Sequence, residues 1–250
     1  MNKKIKKRLL LIFIFFITLI YVFYYSIEIN ESFTESIKTR TLKNDGFCVM
    51  YNPDYNDSSV KLLNNALEYL PNGYVFINYI YKIKKTSLST FHRDVTSSKN
   101  IYNTKHPVYT LILYKYDGDL LSVCPNSNKT YPFVWSSIVN INGKSGTAFL
   151  FDSDLLHAGC LNNCMERDLI QYKICHKDDL DKLVHLNGVR VEKISYCKKN
   201  YTNEITRKLS YFFEMPINYF FYPLMIKREN KNTFLGIIQS MIPISFYNNY

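Results

Sequence analysis

The sequence predicts a mainly β domain with flanking helices, a sandwich or barrel, preceded by an N-terminal transmembrane helix. Short apolar runs are separated by turn signals such as Asp117-Gly118 and Asn142-Gly143, the pattern of strands that stack face to face or close on themselves. Residues 74–83 read YVFINYIYKI, dense in the β-branched and aromatic side chains that fill a pleated surface. A basic cluster, Lys3, Lys4, Lys6, Lys7 and Arg8, leads into an apolar and aromatic run over residues 9–27.

That run has only Thr18 and Ser26 as polar members, and it approaches the roughly 20 residues that span a bilayer. A cleaved signal peptide has a shorter apolar core and a small-x-small cleavage site; here the run closes on Tyr24 and Tyr25. The expectation is an uncleaved signal anchor with residues 1–8 as a cytosolic tail, a single-pass type II arrangement that puts the rest of the chain in a lumen or outside. Sequons at Asn30, Asn56, Asn128 and Asn200 are compatible with that side. So is the even set of Cys48, Cys124, Cys160, Cys164, Cys175 and Cys197, which can oxidise there or remain as buried thiols. Cys160 and Cys164 bracket the turn between His157 and Arg167, which a bond between them would stiffen.

Residues 28–43, rich in Glu, Ser and Thr, read as a stem, and residues 44–204 as the main domain. Within it LLNNALEYL at 62–70 has helical spacing and is expected to pack on the outside of the sheet, ended by Pro71-Asn72-Gly73. Residues 205–250 are strongly apolar, yet Glu214, Pro216, Asn218 and Pro223 interrupt them, which favours a packed appendage or interfacial segment over a second crossing. After the anchor about 220 residues remain, enough for one sizeable core. The net charge of +10 is inflated by the five basic residues of the N-terminal flank and the rest is modestly basic, with no basic stripe interleaved with stacking aromatics, so nucleic acid is not an expected partner.

The chemistry-bearing residues begin at His92-Arg93-Asp94. In a strand, side chains at i and i+2 share a side, so His92 and Asp94 converge if residues 90–95 are extended, and Arg93 faces away. The run GTAFLFD at 146–152 supplies a second strand, with His157 at the turn after it. Two imidazoles and a carboxylate on one face of a metal leave the opposite face open. Arg167 stands before the apolar run LIQYKI at 169–174; its guanidinium stays charged and pairs a carboxylate through two parallel hydrogen bonds. His106, His176 and His185 show no matching carboxylate context and read as surface or structural residues. Cys160, Cys164, Cys175 and His176 lack the close pairing of a structural zinc site.

TFHRDV at 90–95, GTAFLFDSDLLHAG at 146–159 and RDLIQY at 167–172 together resemble the 2-oxoglutarate/Fe(II)-dependent dioxygenase superfamily, nearest to its phytanoyl-CoA dioxygenase-like and prolyl hydroxylase-like branches. TLILY at 110–114, DGDLL at 117–121 and CPNSN at 124–128 resemble the strand, hairpin and loop between the metal ligands, with Asn126 and Asn128 where Gly and His are common. The likeness covers about residues 74–177. It implies a double-stranded β-helix, a distorted jelly roll, with Fe(II) on His92, Asp94 and His157. It also implies 2-oxoglutarate as co-substrate, its distal carboxylate on Arg167 and a hydrogen bond from Tyr109, Thr110 or Tyr114. The activity it implies is hydroxylation of a C–H bond with release of succinate and CO2, with ascorbate as an accessory reductant. Lumenal placement would favour a protein side chain, a glycan or a lipid as substrate.

Two other readings fit part of the chain. Asp152 and Asp154 form the D-x-D of a type II membrane glycosyltransferase, but this leaves His92, His157 and Arg167 unexplained, and no α/β alternation marks a nucleotide-binding half. A β-helix that keeps its shape as a binding domain without chemistry is the third.

Overall fold

The computed structural model describes residues 3–25, 28–32, 40–84, 90–131, 133–134, 136–160, 167–192, 207–211 and 237. Among these, ten strands form two sheets. The larger has the order β10 (Gly188–Glu192), β3 (Tyr74–Lys84), β9 (Asp168–His176), β4 (Tyr109–Tyr114), β7 (Thr147–Asp152) and β2 (Phe47–Tyr51). The smaller has the order β1 (Glu28–Ser32), β6 (Ile138–Gly143), β5 (Gly118–Val123) and β8 (His157–Gly159). Apart from the β5–β6 hairpin, the strands lying side by side are non-consecutive in sequence, and most pairs are antiparallel, consistent with the double-stranded β-helix expected.

The core forms because alternate residues of both sheets point inward. Phe149 and Phe151 of β7, Ile112 and Tyr114 of β4, Leu121 and Val123 of β5, and Val139 and Ile141 of β6 make one buried cluster between the layers. The other face of the large sheet, with Leu111, Leu113, Leu150 and Ile174, is covered by helix α2 (Ser59–Glu68) through Leu62 and Ala66. The Ser58 hydroxyl caps α2 by accepting from Lys61 N at 3.4 Å. The helix expected over 62–70 is therefore present, outside the sheet, and the chain leaves it through Gly73 at φ +98.

Several sequence expectations shift. Asn142 and Gly143 end β6 instead of forming the turn. The reversal falls at Gly146 (φ +91), where an added Cβ would lie 2.6 Å from the Asn52 carbonyl oxygen. Residues 28–32, read as stem, form β1, a parallel edge strand on β6; an unpaired sheet edge is a strong template for extended chain. Among the described residues no helix is long and apolar enough to cross a membrane. Helix α1 (Lys3–Tyr25) is present and its described apolar side chains, Leu9 and Phe13 among them, are exposed, while residues 26 and 27 lie outside the described residues.

Cys48, Cys160 and Cys175 are buried free thiols, the small-residue alternative, and Cys124 is buried as well; Cys164 and Cys197, and with them the Cys160–Cys164 pairing, lie outside the described residues. Of the segment 205–250, a helical turn at 207–211 and Ile237 are described.

Because Phe149 is fully buried between the sheets, Phe149→Ala is expected to lower unfolding free energy by about 3–5 kcal/mol. Val184→Ala, at a position 75% exposed, should stay within about 0.5 kcal/mol. Urea denaturation of both variants checks the contrast.

Candidate metal centre

His92 and His157 come together through an isolated antiparallel bridge: His92 N donates to His157 O at 2.9 Å and His157 N to His92 O at 3.0 Å. His157 opens β8, whose other edge pairs with β5. Extension of 90–95 holds only locally. Asp94 turns out of the strand conformation (φ −75, ψ 66) into the 3-10 turn Val95–Ser97, and its N–H donates to Ser153 O at 2.8 Å. Its carboxylate still reaches the histidines, with Oδ1 3.9 Å from His92 Nε2 and 3.8 Å from His157 Nε2. The donor atoms of all three lie within 4.8 Å of one another.

Each imidazole has its other nitrogen committed. His92 Nδ1 lies 2.8 Å from Thr90 O and His157 Nδ1 2.9 Å from Leu155 O. A carbonyl only accepts, so both Nδ1 atoms carry the proton and both Nε2 lone pairs face the cluster, the tautomer metal ligation needs. Burial, aided by the nearby His92, pushes His157 down to about 4, so its ring is neutral near pH 7.

Asp94 is oriented by Thr110, expected from the sequence to face the co-substrate, and by Lys173, which the sequence reading did not single out. Its Oδ2 accepts from Lys173 Nζ at 2.7 Å and from Thr110 Oγ1 at 2.5 Å. Thr110 and Lys173 are cross-strand partners on β4 and β9, so sheet register delivers both to the same point. Lys173 also donates to Ser97 Oγ at 2.9 Å and Thr110 Oγ1 at 2.7 Å, which uses all three of its protons. Burial by itself would raise the Asp94 carboxyl, but the charges of Lys173, His157 and His92 hold it well below the usual carboxylate range. The available signal was a lysine inside the apolar run LIQYKI, since a buried ammonium requires a partner.

Arg167 is buried against the same region. Gly159 shares a strand face with His157, and a Cβ there would lie 2.5 Å from the Arg167 guanidinium carbon, so glycine alone leaves room for the side chain. Arg167 Nε is buried without a hydrogen-bond partner, with the Tyr114 and Tyr116 side chains beside the guanidinium, and an orphaned buried donor calls for an explanation such as a missing water, ion or ligand.

Thr110 and Tyr114 thus lie on the inner face of β4. Tyr109 does not join them: it is on the opposite face, with its ring 5.4 Å from that of Tyr74. Asp152 and Asp154 are enclosed rather than open to a nucleotide. Asp152 accepts from Asp154 N at 2.9 Å and Asn128 Nδ2 at 3.0 Å, and Asp154 from Asn100 Nδ2 at 2.7 Å. Burial and the neighbouring Asp154 push Asp152 up to about 6.

Arg93 faces away from the metal position, as expected, into a buried niche where it donates to Ser127 O at 2.7 Å and to Asp154 O and lies over the Tyr131 ring. From the C-terminal turn, Ser210 Oγ accepts from Phe91 N at 2.8 Å and Arg207 lies over the Phe91 ring at 4.4 Å, bracing the residue before His92.

No family model and no curated protein matches the chain. Among solved structures, it is similar to the non-heme alpha ketoglutarate dependent epimerase SnoN from nogalamycin biosynthesis, with 12% identity over 57% of this chain and 82% of that one at a TM-score of 0.38. EvdO2 from Micromonospora carbonacea var. aurantiaca matches at 10% identity over 60% of this chain and 94% of its own, with a TM-score of 0.39. With EvdMO1 the identity is 16% over 47% of this chain at a TM-score of 0.37, and the chain spans 31% of that protein's length.

The depressed His157 has a consequence for stability. The unfolded chain protonates this ring near the ordinary value of 6.5 and the folded chain only near 4, so between these values the unfolded state binds more protons. Stability is then present above pH 6.5 and lost as pH falls towards 4, by about 3 kcal/mol from this group. Chemical denaturation of the metal-free chain across that window checks it, and His157→Gln should flatten the slope.

Proposed function

We propose that this chain is an Fe(II)- and 2-oxoglutarate-dependent oxygenase that hydroxylates a C–H bond of its substrate. The observation that carries the reading is the pairing of a His-Asp-His donor set with a buried guanidinium: Arg167, with Nε unpartnered, in space only Gly159 allows. A metal site alone would not need a second, cationic anchor on the same strand face. A structural ion pair would have given Arg167 a carboxylate.

The donor set fits iron. Two neutral imidazoles and one carboxylate are the facial set of non-heme Fe(II) oxygenases. When bound, Fe(II) with 2-oxoglutarate supplies oxygen activation coupled to decarboxylation of the keto acid to succinate and CO2. The protein's own part is positional. Thr90 and Leu155 carbonyls fix the two imidazoles and Lys173 and Thr110 fix Asp94, and the buried Arg167 would hold the distal carboxylate of the co-substrate, where low solvent exposure strengthens the pairing. Tyr114, buried beside Arg167, would donate a hydrogen bond to the same anion.

Anaerobic calorimetry of the wild-type chain with Fe(II) and then 2-oxoglutarate tests this, followed by succinate release in air. Arg167→Ala and Gly159→Ala are each expected to weaken 2-oxoglutarate binding by about 100-fold or more while Fe(II) binding persists. His92→Ala should lose Fe(II) and with it succinate release. Wild-type chain that binds neither Fe(II) nor 2-oxoglutarate would overturn the proposal.

Localisation belongs to the same proposal: a membrane-anchored enzyme with its domain on the far side of the bilayer and a protein side chain, glycan or lipid as substrate. Support comes from the basic flank of α1 and from Leu9, Leu11, Phe13 and Phe15, which are exposed around it. Full-length chain is expected to stay with membranes after alkaline carbonate extraction and residues 28–250 to be released; release of both would refute the anchor.

A further inference from the structure

A second convergence of metal-ligating groups lies on the opposite face of the large sheet. His106, in the loop before β4, His176, at the end of β9, and Asp178, in the 3-10 turn Lys177–Leu183, bring their donor atoms within 4.8 Å of one another. The faces follow from strand alternation. Lys173 points to the His92 cluster, while Tyr172, Ile174 and His176 point outward to the α2 side. The two centres are therefore separated by the sheet itself.

The geometry is built rather than incidental. The imidazoles of His106 and His176 lie with centroids 4.0 Å apart, tilted by 32°, and His176 Nδ1, 3.5 Å from Asp178 Oδ2, accepts a long hydrogen bond from Asp178 N at 3.3 Å that a bound ion would replace. Tyr74 packs its ring edge-on against both, at 6.5 and 5.5 Å. Gly73 leaves space for His176, since a Cβ there would lie 2.3 Å from its Nε2, so Nε2 is turned to the Gly73 backbone and Nδ1 is the nitrogen available to an ion. The loop carrying His106 is fixed from below by Asp179, which is fully buried and accepts from Lys105 N at 2.7 Å and His106 N at 2.9 Å. A carboxylate that orients a ligand-bearing loop is the usual support behind a metal donor.

We propose that His106, His176 and Asp178 form a second metal site, one that binds Zn2+ or a similar first-row divalent cation with water completing the coordination. Two imidazole nitrogens and one carboxylate oxygen suit zinc, and the half-exposed Asp178 leaves a path for entry. The three ligands come from the loop before β4 and from the end of β9 with the turn after it. The ion would clip these segments together, acting as a structural rather than catalytic centre. The site does not depend on the oxygenase reading.

Calorimetric titration of the full chain with ZnCl2 tests it. The His92→Ala/His157→Ala chain is expected to retain one site of micromolar or tighter affinity, and adding His106→Gln or Asp178→Asn to that background should weaken it at least about tenfold. In the unsubstituted chain, His106→Gln should remove one of two bound equivalents, which keeps the test open if the double variant does not fold. Zinc-induced shifts of the His106 and His176 imidazole resonances give a readout independent of substitution. A background chain that binds zinc only at millimolar concentration, or an affinity unchanged by His106→Gln, overturns the proposal.

Discussion

The two backbone hydrogen bonds between His92 and His157 are the constraint on which the candidate centre depends. They join a segment with no other strand partner among the described residues to the three-residue β8, and they set the phase of both. A slip of one residue would turn Phe91 and Arg93 towards the metal position and His92 away from it. The surroundings are arranged against that slip. Ser210 holds the Phe91 amide, Ser153 holds the Asp94 amide, and the Arg93 guanidinium is spent on carbonyls of the loop after β5 and the turn before β8. A bridge with little strength of its own is thereby fixed from both ends.

Around that bridge the interior carries more charge than a packed sandwich ordinarily admits. Lys173, Asp94, His157 and Arg167 are all buried or nearly so. Lys173 and Asp94 neutralise each other and share their remaining hydrogen-bonding capacity with Ser97 and Thr110. Arg167 has no such carboxylate among the partners described for it. The Lys173–Asp94 pair is complete, whereas a buried guanidinium without such a pair costs stability, a cost that the proposed anion site would account for.

Much of this was legible in the sequence, for reasons that can be named. The period-two pattern of 74–83 and 146–152 and the i, i+2 relation of His92 and Asp94 are local and survive folding unchanged. The face on which Tyr109 falls was not legible, because which parity of β4 turns inward is decided by α2 covering Leu111 and Leu113. Lys173 was visible as an odd residue in an apolar run, but its partner lies across the sheet, and register between β4 and β9 cannot be read from either strand alone. The meeting of His106 with His176 was hidden for the same reason, as were the bracing contacts of Arg207 and Ser210. The Asn142-Gly143 pair misled because a turn signal at a strand end is displaced by a residue or two when Gly146 meets the reversal better.

One consequence of the Lys173–Asp94 contact concerns denticity. With Oδ2 bound by an ammonium and a hydroxyl, Asp94 has a single oxygen to give, so it cannot chelate. An octahedral ion held by two imidazole nitrogens and that one oxygen retains about three vacant positions, a two-toothed keto acid would fill two of them, and one small molecule at a time could occupy the last. Lys173, 16 residues beyond His157 in sequence and in contact with the carboxylate beside both histidines, would therefore set how many guests a bound metal could hold.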